Sequence, residues 1–186
     1  MLQLYIARHG QTEENVQRIL QGQMPGHLTP EGISQAKQLS KKLSQEEFDF
    51  IVSSDLQRAI DTTRIIAQPH GGHFALEPLL RERDFGIHTG GPYLRISHAL
   101  DPSAETIEQV AQRAADFLNK VKDEHDGEKV LAVSHGLFLR IMQAVYYGVE
   151  SHAIEKMENA EVRILTLEPS QHFDTSVFAE VGATAN

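Results

Sequence analysis

Three short apolar runs, each breaking off in a cluster of polar and cationic residues, constrain this chain most. Leu4, Tyr5, Ile6 and Ala7 give way to Arg8-His9-Gly10. Phe48, Phe50, Ile51 and Val52 lead into Ser53-Ser54, and Val130, Leu131, Ala132 and Val133 into Ser134-His135-Gly136. Runs this short and continuous predict strands buried on both faces. Helical patterns fill the intervals. Thr29-Pro30-Glu31-Gly32 offers an N-cap, a proline at the first helical position and an acid, followed by Ile33, Ala36, Leu39 and Leu43 at helical spacing. Ser54-Asp55-Leu56-Gln57 has the spacing of a capping box opening a helix through Ala67. A long amphipathic helix is expected over 105–125, and an apolar one over 137–147 ending at Gly148. A short strand is expected near 74–76, and closing strands over 162–167 and 177–181. This alternation predicts a three-layer α/β/α sandwich around a mostly parallel central sheet. With 186 residues and no internal repeat or linker, residues 1–186 read as one domain. A short irregular segment is expected at about 83–104, where Gly90-Gly91-Pro92 and Asp101-Pro102 break the pattern.

The formal net charge of -9 weighs against nucleic acid or an anionic membrane surface as a partner. A small anionic ligand needs a local basic pocket to overcome that field. Cysteine is absent, which removes disulfides and thiolate metal sites. No segment approaches the roughly 18 to 20 apolar residues that cross a bilayer, and the first residues show no basic leader or cleavage site. A cytoplasmic protein is the expectation. The sequence leaves the oligomeric state open.

Ligands of open α/β sheets bind in the crevice at the carboxyl ends of the strands, which is where the three polar clusters fall. Guanidinium forks at Arg8 and Arg58 suit phosphate oxygens. A neutral imidazole attacks phosphorus without further activation, whereas Ser53, Ser54 and Ser134 have no base partner evident in sequence. Gly10 permits close approach beside the His9 ring, and a second histidine, His135, is expected to remain protonated against the phosphoryl oxygens.

At these residues the chain resembles the phosphoglycerate mutase-like histidine phosphatases, whose signature is Arg-His-Gly after the first strand. The resemblance extends through Gln11-Thr12-Glu13-Glu14-Asn15, Gln21-Gly22, Leu28-Thr29-Pro30-Glu31-Gly32, Ser53-Ser54-Asp55-Leu56-Gln57-Arg58-Ala59, Leu80-Arg81-Glu82 and Ser134-His135-Gly136. It covers residues 2 to about 145. It implies that His9 is the nucleophile, Glu82 the proton donor, and Arg8, Arg58 and His135 the phosphate clamp, with Asn15, Gln21, Gly22 and Gly136 lining the pocket. The chemistry independently calls for a carboxyl that protonates the leaving alkoxide and then deprotonates water. Local sequence does not separate Glu82 from Asp84 in that role; the resemblance selects Glu82. Two departures affect specificity. Only 22 residues lie between Glu82 and Glu105, fewer than in relatives that build substrate lids there, and Leu137-Phe138 stands where many mutases carry a polar residue.

The implied activity is hydrolysis of a small phosphorylated metabolite through phosphohistidine, without metal or other cofactor. The alternatives are a phosphoglycerate mutase and a catalytically silent phospholigand-binding module. His70 and His73, separated by Gly71-Gly72, read as a surface loop rather than a metal site. His88 and His98 read as exposed.

Overall fold

The computed structural model describes residues 1–93 and 101–179. In chain order the elements are β1 (Leu2–Arg8), α1 (Glu13–Val16), α2 (Pro30–Leu43), β2 (Phe50–Ser53), α3 (Gln57–Ala67), β3 (Ala75–Leu76), α4 (Ile107–Glu124), β4 (Lys129–Ser134), α5 (Gly136–Tyr147), β5 (Val162–Leu167) and α6 (Ser176–Ala179). The sheet order is β3-β2-β4-β1-β5. The first four strands are parallel, and β5 closes the edge antiparallel to β1. Register makes the functional ends flush, since Arg8 pairs with Ser134 and Ser53 with Val133.

Side-chain alternation assigns the two faces. Leu4, Ile6, Val52, Val130 and Ala132 pack with α4 and α5, while Tyr5, Ala7, Ile51, Leu131 and Val133 pack with α2 and α3. The three-layer expectation therefore describes the molecule. Thr29 caps α2 by accepting from the Gly32 amide, with Pro30 first in the helix. Thr106 and Gln109 form a reciprocal capping box at α4.

Two local expectations are corrected. Residues 176–179 form the one-turn helix α6, not the start of a strand; Asp174 accepts from the Ser176 amide at 2.9 Å, and Phe178 is buried in the α4 and α5 core. Val181 lies outside the described residues. The capping box at Ser54 does not form either. The N-cap of α3 is Leu56, Gln57 turns to Asp61, and the Ser54 hydroxyl is taken by His135.

Candidate active site

The flush strand ends place two histidines side by side, with the His9 and His135 ring centroids 5.2 Å apart. Both are buried. His9 Nδ1 lies 2.7 Å from the Gly10 carbonyl; a carbonyl oxygen only accepts, so Nδ1 carries the proton. Nε2 is therefore the unprotonated nitrogen, and it accepts from Arg58 Nε at 3.3 Å. Burial, with Arg58 and Arg8 adding to it, holds the His9 pKa well below its ordinary value. The imidazole is neutral. The turn carrying it is closely fitted, because a Cβ on Gly10 would stand 2.5 Å from the Gly32 carbonyl oxygen. The Gly10 amide donates to Thr62, and Asn159 and Ala160 both donate to the His9 carbonyl.

Arg58 is buried between backbone carbonyls. Nη2 donates to Gly22 O at 2.8 Å and Nη1 to Met24 O, and burial brings its pKa down to about 10. Gly22 reaches the guanidinium through a left-handed turn with φ +51°. At the start of α3, Arg58 N donates to Pro25 O and Leu56 N to Ser54 Oγ. Arg8 Nη1 donates to Met157 O at 2.6 Å, while its buried Nε has no partner.

His135 corrects the expectation that it is protonated. Burial first, and then Arg58, His9, Arg8 and Arg113, depress its pKa well below the ordinary value. Its Nε2 lies 2.7 Å from Ser54 Oγ and its buried Nδ1 has no partner. Ser54 thus has the histidine neighbour that the sequence did not reveal, although Ser54 is fully buried and outside the cavity lining. Ser53 and Ser134 donate to the Ser54 and Leu80 carbonyls.

Glu82 reaches the same place from the other side of the sheet end. Its carboxylate accepts from the amides of Leu137 at 3.1 Å, Phe138 at 3.0 Å and Arg83 at 2.8 Å, two of them at the start of α5. Asp84 instead accepts from the Gly86 amide. Arg113, which the sequence reading passed over, fixes the backbone before Glu82. It donates to the carbonyls of Leu79 at 2.7 Å and Arg81 at 3.0 Å, grips Glu105 with two nitrogens at 2.6 and 2.9 Å, and lies over the Phe138 ring. The i, i+8 spacing of Glu105 and Arg113 across a helix start was its only sequence trace.

Arg8, His9, Arg58 and Glu82 line one cavity of about 320 Å³, at the lower end of the range of small-ligand sites. Asn15, Gln21, Gly22 and Gly136 line it as well, and His135 does not. Leu137 lines the cavity and Phe138 joins the core, so the apolar pair after Gly136 divides between the two. From the irregular segment, Arg83, Phe85 and Tyr93 reach the mouth. His88, expected to be exposed, is half-buried and accepts from the Asp101 amide, and His98 lies outside the described residues. His70 packs edge-on against Phe48, and His73 is exposed. Among the described residues no group of three or more His, Cys, Asp or Glu is placed to hold a metal ion, and no helix is long and apolar enough to cross a membrane.

The family model of the histidine phosphatase superfamily (branch 1) matches residues 4–177. The chain belongs to this family. A probable phosphoglycerate mutase GpmB of Cronobacter sakazakii is 33% identical over 177 residues, covering 84% of this chain and 80% of the relative. Among solved structures, Bacillus stearothermophilus YhfR superposes with a TM-score of 0.83 at 26% identity, covering 95% of this chain and 96% of that one. A mycobacterial glucosyl-3-phosphoglycerate phosphatase in complex with VO3 gives a TM-score of 0.81 at 25% identity, over 88% and 92% of the two chains. The histidine phosphatase fold of these proteins is the one described above.

Proposed function

We propose that residues 1–186 act as one cytoplasmic phosphatase domain that hydrolyses a small phosphorylated metabolite through a phosphohistidine at His9. The observation that carries this reading is the lock on His9, in which Nδ1–H is spent on Gly10 O and the Nε2 lone pair rests against Arg58 beside a cationic cavity. Phosphorus takes the place of that Arg58 contact. Nε2 attacks, the P–O ester bond breaks, and Glu82, which enters this step as the carboxylic acid, gives its proton to the departing oxygen and is left as the carboxylate. Glu82 then removes a proton from water, the water oxygen bonds to phosphorus, and the P–N bond breaks to release inorganic phosphate and neutral His9. Arg8 and Arg58 hold the phosphoryl oxygens, the charge-stabilising role a metal fills elsewhere. Because Ser54 Oγ already accepts from the Leu56 amide, its own hydrogen is available to His135 Nε2. That leaves His135 Nδ1–H unpartnered and buried outside the cavity lining; as a neutral donor to the phosphoryl group it requires the bound substrate to open the wall beside His9. Asn15, Gln21, Gly22 and Gly136 shape the wall around it.

The mutase reading keeps the same first step and is favoured by the name of the 33% identical relative. Rapid alkaline quench of turnover with a labelled aryl phosphate, in excess chelator, tests both readings. Label is expected on His9, with free phosphate appearing and no transfer to added acceptor. Label on Ser54, or loss of turnover on chelation, overturns the mechanism; transfer to a phosphoglycerate acceptor in place of release selects the mutase.

A further inference from the structure

Glu82 sits in an irregular stretch, 81–85, that belongs to no helix or strand, yet its carboxyl is buried against three amides. Side chains from elsewhere hold that backbone instead. The carbonyls of Leu79, Arg81 and Glu82 accept from Arg113, and that of Leu80 accepts from Ser134 at 2.6 Å. Beyond Glu82, the Glu105 amide donates to Asp84 O at 2.8 Å, the Asp84 amide donates to Glu105 Oε2 at 3.1 Å, and Arg83 Nε donates to Glu105 O at 2.7 Å. Arg113 thus grips the chain before the carboxyl, and Glu105 the chain after it.

One ion pair joins the two grips. Arg113 Nε and Nη2 take the two oxygens of Glu105, Nη1 serves the Leu79 and Arg81 carbonyls, and Nη2 also reaches Glu82 O at 3.4 Å. Together these contacts occupy every N–H of the guanidinium. The same group lies 5.0 Å from the centre of the Phe138 ring, and the Phe138 amide is one of the donors to Glu82 Oε1. Arg113 therefore touches both halves of the cradle, the backbone from which Glu82 extends and the residue whose amide meets its carboxyl. A pair this enclosed adds little net stability, because desolvation offsets the attraction. What it adds is a fixed geometry. Arg113 does not line the cavity, so its effect on the reaction passes through Glu82.

We propose that Arg113 and Glu105 are positioning residues for proton transfer by Glu82, and set how well the enzyme expels leaving groups that need a proton. The proposal rests on the phosphatase reading above, in which Glu82 protonates the departing oxygen. Reactivity towards alkyl esters then depends on a guanidinium that the ester does not touch.

Two esters test this. 2,4-Dinitrophenyl phosphate expels a stable phenolate without a proton, whereas propyl phosphate expels an alkoxide that needs one. Their kcat/KM values report steps only as far as P–O cleavage, so the later work of Glu82 as a base does not enter. Arg113→Lys keeps the charge but loses the planar fork and two of its donors. It should lower kcat/KM for propyl phosphate by about 10- to 100-fold, as for a misplaced catalytic group. The dinitrophenyl ester should change by less than about 3-fold, since it draws little on the acid, and inhibition by inorganic phosphate should persist because Arg8 and Arg58 are untouched. Glu105→Gln, which is isosteric, should show the same contrast at smaller size, and it decides the matter if Arg113→Lys does not fold. Glu82→Gln is the reference, and should lose far more on the propyl ester than on the dinitrophenyl ester. Parallel loss on both esters in the positioning variants, loss of phosphate inhibition, or unchanged activity on propyl phosphate overturns the proposal while the phosphatase reading stands. Parallel loss in Glu82→Gln removes Glu82 as the acid, and the positioning role falls with it. If the wild type hydrolyses neither ester, the phosphatase reading itself fails and takes this role with it.

Discussion

The chain leaves its sheet twice at neighbouring strand ends through a turn that puts glycine after histidine, and the two turns do different things. After β1, Arg8-His9-Gly10 points the Nδ1–H of its histidine at its own backbone and leaves Nε2 at the cavity wall. After β4, Ser134-His135-Gly136 ties Nε2 to Ser54 and leaves Nδ1 without a partner, outside the cavity lining. The glycines differ as well. Gly10 is required by the backbone of α2, whereas a Cβ on Gly136 would stand 3.1 Å from Arg8 Nε. In the proposed mechanism two nearly identical tripeptides supply a nucleophile and a donor, and the difference lies in what meets each ring.

The largest expected effect tests that division of labour. His9→Ala should lower turnover of an aryl phosphate by about 10⁴-fold or more, as for loss of a nucleophile, and leave no alkali-stable label. His135→Ala should cost about 10²- to 10³-fold, as for one lost transition-state donor, and still show label on His9 after rapid quench. Equal losses, or loss of label in both variants, would collapse the two turns into one role.

The glycines sharpen the comparison at smaller magnitude. Gly136→Ala presses on the Arg8 guanidinium and should cost on the order of 10-fold in kcat/KM through misplacement of the clamp, with little change in unfolding midpoint. Gly10→Ala meets backbone and should lower stability by about 1–3 kcal/mol, the usual overpacking cost, read by urea denaturation. The opposite pattern, with Gly136 controlling stability and Gly10 only activity, would reverse the assignment.

What was legible in the sequence was short-range. The strands, the Thr29 cap and the residue clusters at strand ends are each set by a few consecutive residues, and the flush register of β1, β2 and β4 then brings Arg8, His9, Arg58 and His135 together without further information. The illegible parts depend on partners far along the chain. Ser54 reads locally as a cap, yet its hydroxyl belongs to His135, 81 residues away. Residues 176–179 have strand-forming side chains, but the edge beside β1 is already taken by β5, and Val177 and Phe178 find their burial on the α4 and α5 core. The charge state of His135 follows from burial among arginines, and the support of Glu82 by Arg113 from contacts across 31 to 34 residues. Neither leaves a local pattern.

The last prediction uses what the two turns share. His9 and His135 are both fully enclosed and held neutral, with pKa values well below the 6.5 of a free imidazole. At neutral pH neither state of the protein protonates them, and their contribution to stability is complete. As the pH falls below about 6.5, the unfolded chain takes up protons that the folded chain refuses, so stability declines from there until the folded values are reached. Each such histidine adds a slope of roughly 1.4 kcal/mol per pH unit in that window. His70, lowered by burial alone at a less enclosed position, adds a smaller share. Urea midpoints between pH 7 and 5 should therefore fall steeply for the wild type, and about equally less steeply for His9→Gln and His135→Gln, because Gln cannot titrate. A slope unchanged by either substitution would mean that the rings protonate in place. The neutral nucleophile at His9, and the neutral donor at His135, would then both have to be abandoned.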